Sequence, residues 1–482
     1  MTNDINDNNP TNLEASTTVV GLDEEVPTTN SNSLSDEQYE MEAVVHPLQL
    51  EGGGAGRQDS SATAWCNFDR LCKCFFLVCF LILAGLLLVG YLVWKTKLED
   101  EDSNDSSSSS SSDVDTATLE EYFGSLLKIL SLPEETAIAL RDPTTPASEA
   151  LQWLAFEDKM LLPINDIPAV RQRFALVILY FATDGGNFWD KNWLQSGVTE
   201  CDFDGVICND RGHVIGLDLP HQQLTGELPK EISWLISLEG LNLRHNRLRG
   251  SIPTEIFTEL TNLNYIELSY NEFTNELPQD MSALTKLDTF YARANSLSGS
   301  LPAFVPTSLE RLVVTNNYFE GSIPRTWFGR PHQFQVLDIS HSSIDGTLPS
   351  EIAASWPNLK SLGLAGTQIG GTIPSEIGLM AIEEFSASET RLSGSIPVEL
   401  YRMSTLQLFV AGGNYLSGTL LPEIKHLSSL SIFNLVNSKI SGTIPTEIGD
   451  LSNLEWLQLA HNMGIRGTIP TELKRLTNLG KQ

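Results

Sequence analysis

Four histidines, His221, His245, His341 and His461, each stand directly before a turn residue in a recurring stretch. Imidazoles in one slot could form a column of metal ligands or pH sensors. They fall, however, in the first, second, sixth and eleventh copies of the stretch, and only the first two adjoin. Solvated filler accounts for them better. Glu383, Glu384 and Glu389 crowd one segment, where a solvated charged edge explains them without an acid–base pair. No Ser-His-Asp or Cys-His arrangement is legible. Asp202-Phe203-Asp204-Gly205 has the look of a metal-binding phosphotransfer loop. Neither a Gly-rich phosphate loop followed by Val-Ala-Ile-Lys nor a His-Arg-Asp motif accompanies it. The sequence therefore predicts no catalytic group, no metal site and no cofactor. Cys201 and Cys208 stand alone after residue 100, spaced as a local pair and predicted to form a disulfide.

The elements that position these residues repeat. Prolines fall at Pro229, Pro253, Pro278, Pro302, Pro324, Pro349, Pro374, Pro397, Pro422, Pro445 and Pro470, in steps of 22 to 25 residues. Each closes a Leu-x-x-Leu-x-Leu pattern ending in Gly-x-Ile/Leu-Pro, as in Leu238-Glu-Gly-Leu241-Asn-Leu243-Arg-His-Asn246-Arg-Leu248-Arg-Gly250-Ser-Ile252-Pro253. This period marks an α/β solenoid of leucine-rich repeats, a right-handed superhelix of eleven coils. No coil can bury Leu238, Leu241, Leu243, Leu248 and Ile252 alone, so stability comes from neighbours. Leu241-Asn242-Leu243 alternates in and out as a short strand, and successive strands should line up as a parallel sheet on the concave face.

Asn246 stands where the chain leaves the strand, and its amide can bond backbone groups that a sharp buried turn would orphan. The same slot holds Asn271, Asn295, Asn317, Asn414 and Asn462, but Gln222, Ser342, Thr367, Thr390 and Ser438 elsewhere. The shorter hydroxyls should serve more weakly. Gly-x-Ile-Pro suits a coil edge where no ladder donor is wanted. Two coils depart from the pattern: Asn275 replaces the glycine, and Gly418-Thr-Leu-Leu-Pro422 carries an extra residue.

The wording resembles the plant-type leucine-rich repeats of receptor-like kinases and receptor-like proteins, over roughly residues 170 to 482. Before the repeats, stripes such as Leu119, Tyr122, Phe123, Leu126, Leu127 and Leu130, then Ala150, Leu151 and Leu154, then Ile167 to Thr183, read as helices. With the segment from Gly185 through Cys201-Asp-Phe-Asp-Gly-Val-Ile-Cys208, they form a cap over 116–212 that covers the solenoid's apolar end. The cap is similar to that of plant-type ectodomains, where a tryptophan usually stands near Phe203. A membrane span placed before the repeats is similar to the anchored repeat proteins of some algae, the reverse of the receptor kinases.

That span is Phe75 to Trp94, 20 residues without a charge, or about 30 Å of helix, the thickness of a bilayer core. Tyr91, Trp94, Lys73 and Lys95 flank its ends. The predicted organisation is a disordered acidic cytosolic tail over 1–69, a transmembrane signal anchor over 74–95 and a Ser/Asp-rich stalk over 96–115. The cap at 116–212 and a solenoid at 213–482, ending in an incomplete repeat, complete it. Either the solenoid stacks on another protein there or the chain is truncated. Lys and Arg counts orient the span only weakly. Cys66, Cys72 and Cys74 are candidate cytosolic acylation sites, and Asn104 is the sole Asn-x-Ser/Thr glycosylation site. The expectation is a single-pass plasma-membrane protein with its repeats extracellular.

The 482 residues hold 30 Lys and Arg against 61 Asp and Glu, a net charge of −31. Such a chain repels phosphate backbones, which argues against nucleic acid as a partner. What remains is display. Outward positions of the strands give one column, Asp218, Asn242, Glu267, Tyr291, Val313, Asp338, Gly363, Ser386, Val410, Asn434 and Gln458. At about 4.8 Å per strand it runs roughly 50 Å. Arg244, Tyr265, Glu267, Tyr291, Arg293, Thr315 and Asp338 are the candidate ligand-binding residues, since Arg and Tyr enrichment marks binding hot spots. The later coils, from Gly363 to Gly412, are small and nearly uncharged, as though a partner's backbone could approach.

Two functions stay open. The resemblance implies a non-catalytic receptor-like protein that binds an extracellular peptide, glycan or protein ligand and signals through a co-receptor kinase. The alternative is an adhesion or wall-contact module without signalling.

Overall fold

A computed structural model describes residues 116–130, 134–185 and 192–480. The tail, the apolar stretch at 74–95, the stalk, Cys66, Cys72, Cys74 and Asn104 lie outside the described residues. Among the described residues no helix is long and apolar enough to cross a membrane.

The cap contains helices at Thr116–Leu130, Glu134–Ala139, Pro146–Gln152 and Ile167–Ala182, with a π-helical turn at Trp153–Glu157. Local chemistry sets their starts. The Thr145 side chain accepts the Ser148 backbone N–H, and Asp166 accepts that of Ala169 with Pro168 in the first turn. Leu126 and Leu130 from the first stripe pack with Leu151, Leu154, Val170, Phe174 and Val177 in a core of the cap's own. Ala175, Leu176 and Leu179 face the other way and join the solenoid core, which makes the last helix the hinge piece between the two.

Within that apolar helix sits Arg173, a fully buried cation. Its Nε and Nη2 donate to the two Asp158 oxygens at 2.6 and 3.0 Å, and Nη1 to Glu200 Oε2 at 2.9 Å. Nη2 also reaches the Val198 carbonyl, and the guanidinium lies near the Trp153 and Phe203 rings. One residue thus ties the helix to the turn at Asp158 and to the segment Val198–Glu200.

The coils line up a twelve-stranded sheet. Its first strand, Val206–Cys208, runs antiparallel to Val214–Asp218 and ends at Cys208, which the disulfide ties to Cys201. The following eleven strands are parallel, from Val214–Asp218 to Trp456–Gln458. In the example coil, Leu238, Leu241, Leu243 and Leu248 are wholly buried.

The stretch leading into each Gly-x-Ile-Pro carries a second ladder that the repeat pattern alone did not announce. Segments such as Arg247–Gly250 and Tyr415–Thr419 pair in parallel with their equivalents, forming a six-stranded and a five-stranded sheet. The prolines come just after these ladders and start short 3-10 turns, as at Lys230–Trp234 and Ser375–Leu379, so no ladder donor is lost. Glycine is needed here because φ is positive and the preceding coil is close. A Cβ added at Gly371, Gly394 or Gly442 would lie 2.8 to 2.9 Å from the methyl of Thr347, Thr372 or Thr419. Asn275 fits the glycine slot because asparagine tolerates its φ of 66°.

The turn asparagines form a ladder. Asn271 Nδ2 donates to the Leu243 and Leu268 carbonyls at 2.9 and 3.1 Å, while its Oδ1 accepts the Leu248 N–H at 3.0 Å. Each amide thereby joins two coils. Thr367 and Thr390 hydroxyls donate only to a carbonyl three residues back or to a neighbouring Asn414. The buried Ser342 and Ser438 hydroxyls make no hydrogen bond, so the expectation that every short hydroxyl serves fails at these two.

On the return side of the sixth coil, His332 is fully buried beside Phe334, at a ring separation of 5.2 Å, with neither ring nitrogen bonded. Burial, then the nearby Arg330 charge, pushes its pKa down from 6.5 to about 4. The unfolded chain therefore takes up this proton first as pH falls. Stability should be intact above about 6.5 and decline towards about 4, by up to roughly 3 kcal/mol at ~1.4 kcal/mol per pH unit. His332→Phe should remove this part of the acid sensitivity, read as thermal midpoint against pH.

Candidate ligand-binding face

The strand register fixes the display column. Asp218 pairs with Asn242, Asn242 with Glu267, Glu267 with Tyr291, Tyr291 with Val313 and Val313 with Asp338. Much of this column is occupied with its own backbone. Asn242, Glu267, Asp338 and Asn434 each turn a side-chain oxygen back to accept the N–H two residues on, at 2.8 to 3.1 Å. Asn242 Nδ2 also donates to Asp218 Oδ1 at 2.8 Å.

Two candidates consequently leave the accessible set. Glu267 is 5% exposed, its Oε1 turned to the Ser269 N–H, and Thr315 is 4% exposed. They shape the floor. Tyr265 and Tyr291 meet edge to face at 6.3 Å, each half-buried. Burial, then the Glu267 carboxylate, then Tyr291, raises the Tyr265 pKa, so it remains a neutral phenol. Asp338 is half-buried and lies against Gly363, whose missing Cβ makes room for it. Gly412 likewise leaves room for Val436. These glycines serve contact between neighbouring coils.

Arg244 and Arg293 come together through a residue the sequence reading passed over. Both guanidinium carbons lie near the Tyr270 ring, at 5.6 and 5.7 Å from its centroid. His245 stacks on Tyr270 at 4.1 Å with a 6° tilt, and His221 on His245 at 4.4 Å. The Arg293 Nε is buried and has no hydrogen-bond partner among the described residues. Arg244, Tyr270 and Arg293 thus make a cationic, aromatic patch beside the tyrosine pair.

The stack has a backbone cause. His221, His245 and Tyr270 share the slot before the turn residue, where φ is 54° to 58°. All eleven coils take positive φ there, through Ala294, Asn316, His341, Gly366, Glu389, Gly413, Asn437 and His461. Side chains in this left-handed slot project alike, so aromatic residues in adjoining coils must stack. His245 is half-buried as a result, and burial, then the His221 and Arg244 charges, lower its pKa. Solvated filler does not describe it. The adjacency of His221, His245 and Tyr270 was the available signal.

The flank sheets carry a different pattern. Thr347, Thr372, Ser395, Thr419, Thr443 and Thr468 are exposed, one per coil. In the ladder Thr372 pairs with Ser393 and Ser395 with Ser417, so these residues form a slanted row along the side of the later coils.

Comparison with known proteins agrees with this architecture. A leucine-rich-repeat family model matches residues 236–297. The solved structure of a TDR receptor is 34% identical, with a TM-score of 0.52 over 54% of this chain and 45% of that one. The plant peptide hormone receptor RGFR1 in complex with RGF2 is 31% identical, covering 54% of this chain and 46% of that one at a TM-score of 0.47. A plant ice-binding protein is 26% identical, with a TM-score of 0.52 over 61% of this chain and 95% of that one. The chain thus spans about half the length of the two receptor structures. No curated protein sequence matches the chain.

Proposed function

We propose that this chain, whose repeats are leucine-rich repeats of the kind found in plant receptor ectodomains, is a non-catalytic receptor-like protein. It takes an extracellular peptide or protein ligand on the early coils of its concave face. The observation that carries the reading is the pair of guanidinium groups, Arg244 and Arg293, gathered at Tyr270 beside the Tyr265–Tyr291 pair. Clustered Arg and Tyr suit a peptide carrying an acidic group, with the phenol rings covering an adjoining apolar side chain. The 74–95 stretch would anchor the chain in the plasma membrane, with the tail in the cytosol recruiting a partner that has its own kinase. The likeness to the TDR receptor supports this reading.

A full-chain preparation should bind such a ligand saturably, and Tyr291→Ala with Arg293→Ala should weaken that binding by about tenfold or more. Unchanged binding by the double variant removes the site.

A second reading follows from the flank. Exposed Thr and Ser residues repeat once per coil from Thr347 to Thr468, staggered by two residues between neighbouring strands. Such a row suits an ordered water lattice, and the matched ice-binding protein is covered over nearly its whole length. Under this reading the hydroxyl row, and not the arginine patch, is the working surface.

A further inference from the structure

A groove of about 1200 Å³ opens where the cap meets the first two coils. It lies on the return segments of the coils, not on the strand columns. One wall is the start of the Ile167–Ala182 helix. The other is formed by Lys230–Trp234 of the first coil and the Thr254–Glu259 helix of the second.

Arg171 leaves the cap helix and lays its guanidinium over the Trp234 indole, 5.1 Å from the ring centroid. Its Nε is buried without a hydrogen-bond partner, and it forms no ion pair among the described residues. Acids share the groove, yet those nearest the cap are committed elsewhere. Glu200 is held by Arg173 and Gln172, Glu231 accepts from the Thr136 hydroxyl, and Asp166 caps Ala169. On the opposite wall Glu255 and Glu259 stand one helical turn apart, Glu259 exposed and Glu255 half-buried. Between the walls Ile236 is 62% exposed. A cation wanting an anion, an apolar strip and an acidic rim therefore follow one another.

We propose that this groove binds a short extended peptide bearing both charges: a carboxylate on Arg171, an aliphatic side chain over Trp234 and Ile236, and a cationic side chain at Glu255 and Glu259. Polyanionic glycans and nucleic acids are disfavoured by the acids that line the same groove. Sugars, rich in hydroxyls, would gain little from Ile236. A peptide meets each feature with its opposite. The site is independent of the concave face and stands or falls separately from the reading proposed for it.

The test titrates the full chain calorimetrically with acetyl-Glu-Leu-Ala-Leu-Lys-amide. Its controls are acetyl-Gln-Leu-Ala-Leu-Gln-amide, penta-glutamate and an oligogalacturonate. The zwitterionic peptide should bind saturably, and the controls at least about tenfold more weakly. Arg171→Gln and, separately, Ile236→Ser should each lower its affinity at least about tenfold while leaving the thermal midpoint within a degree or so of the parent. Arg171→Lys should retain part of the affinity. Absence of saturable binding, equal binding of penta-glutamate or the glycan, or full affinity in Arg171→Gln would overturn the proposal.

Discussion

Arg173→Met unfolds the cap well before the repeats lose their structure. The side chain it removes is fully buried and holds Asp158 and Glu200, whose own side chains are 2% and 9% exposed. Without the cation two carboxylates stay out of water with no compensating charge, and breaking a buried ion pair this way costs about 3–5 kcal/mol. The cluster also ties the last cap helix to the turn at Asp158 and the segment at Val198–Glu200, so the loss concentrates in the cap. Hydrogen exchange resolved by segment should show residues 116–212 opening while the later coils keep parental protection. Adding Asp158→Asn and Glu200→Gln should recover much of the loss, since neutral amides cost less to bury than bare carboxylates. A destabilisation below ~1 kcal/mol would mean that water reaches the acids and that the cluster does not hold the cap together.

Asn295→Ala should cost about 2 kcal/mol, chiefly from the buried Phe273 N–H left without an acceptor at ~1–3 kcal/mol, since the Leu268 and Ala292 carbonyls keep the Asn271 and Asn317 amides. The amide donates to the Leu268 and Ala292 carbonyls at 3.0 and 3.2 Å and accepts the Phe273 N–H at 3.0 Å. Because it bridges two coils, the damage should spread to both neighbours and lower the cooperativity of unfolding. Ser438→Ala is the contrast: its hydroxyl is buried and unbonded, so the change should be neutral or slightly stabilising. Chemical denaturation midpoints of the two variants check the difference. Equal midpoints would reduce the asparagine ladder to filler.

These two residues also mark what a sequence can show. Asn295 was legible because its slot recurs with the same amide in Asn246, Asn271, Asn317, Asn414 and Asn462, and recurrence exposes a backbone need. The strand column could be read in order for the same reason, since each coil repeats the last and the register follows. Arg173 was invisible. It lies in an apolar helix, and its partners Asp158 and Glu200 stand 15 and 27 residues away with no shared period. The concave face fell between these cases. Residue type and strand position pointed to Arg244, Tyr291 and Arg293, yet they could not reveal that Glu267 turns inward to Ser269. Nor did they reveal Tyr270, because its direction is set by a positive φ that the side chain itself does not announce. The second ladder was missed because Gly and Pro read as breakers until neighbouring coils supply the pairing.

Hydrogen exchange of the full chain against a pool of secreted peptides would test the central claim most directly. The account predicts protection confined to residues 240–295, around Arg244, Tyr270 and Arg293, and lost in the Tyr291→Ala plus Arg293→Ala variant. Protection confined to the hydroxyl row from Thr347 to Thr468, or unchanged in that variant, would contradict it.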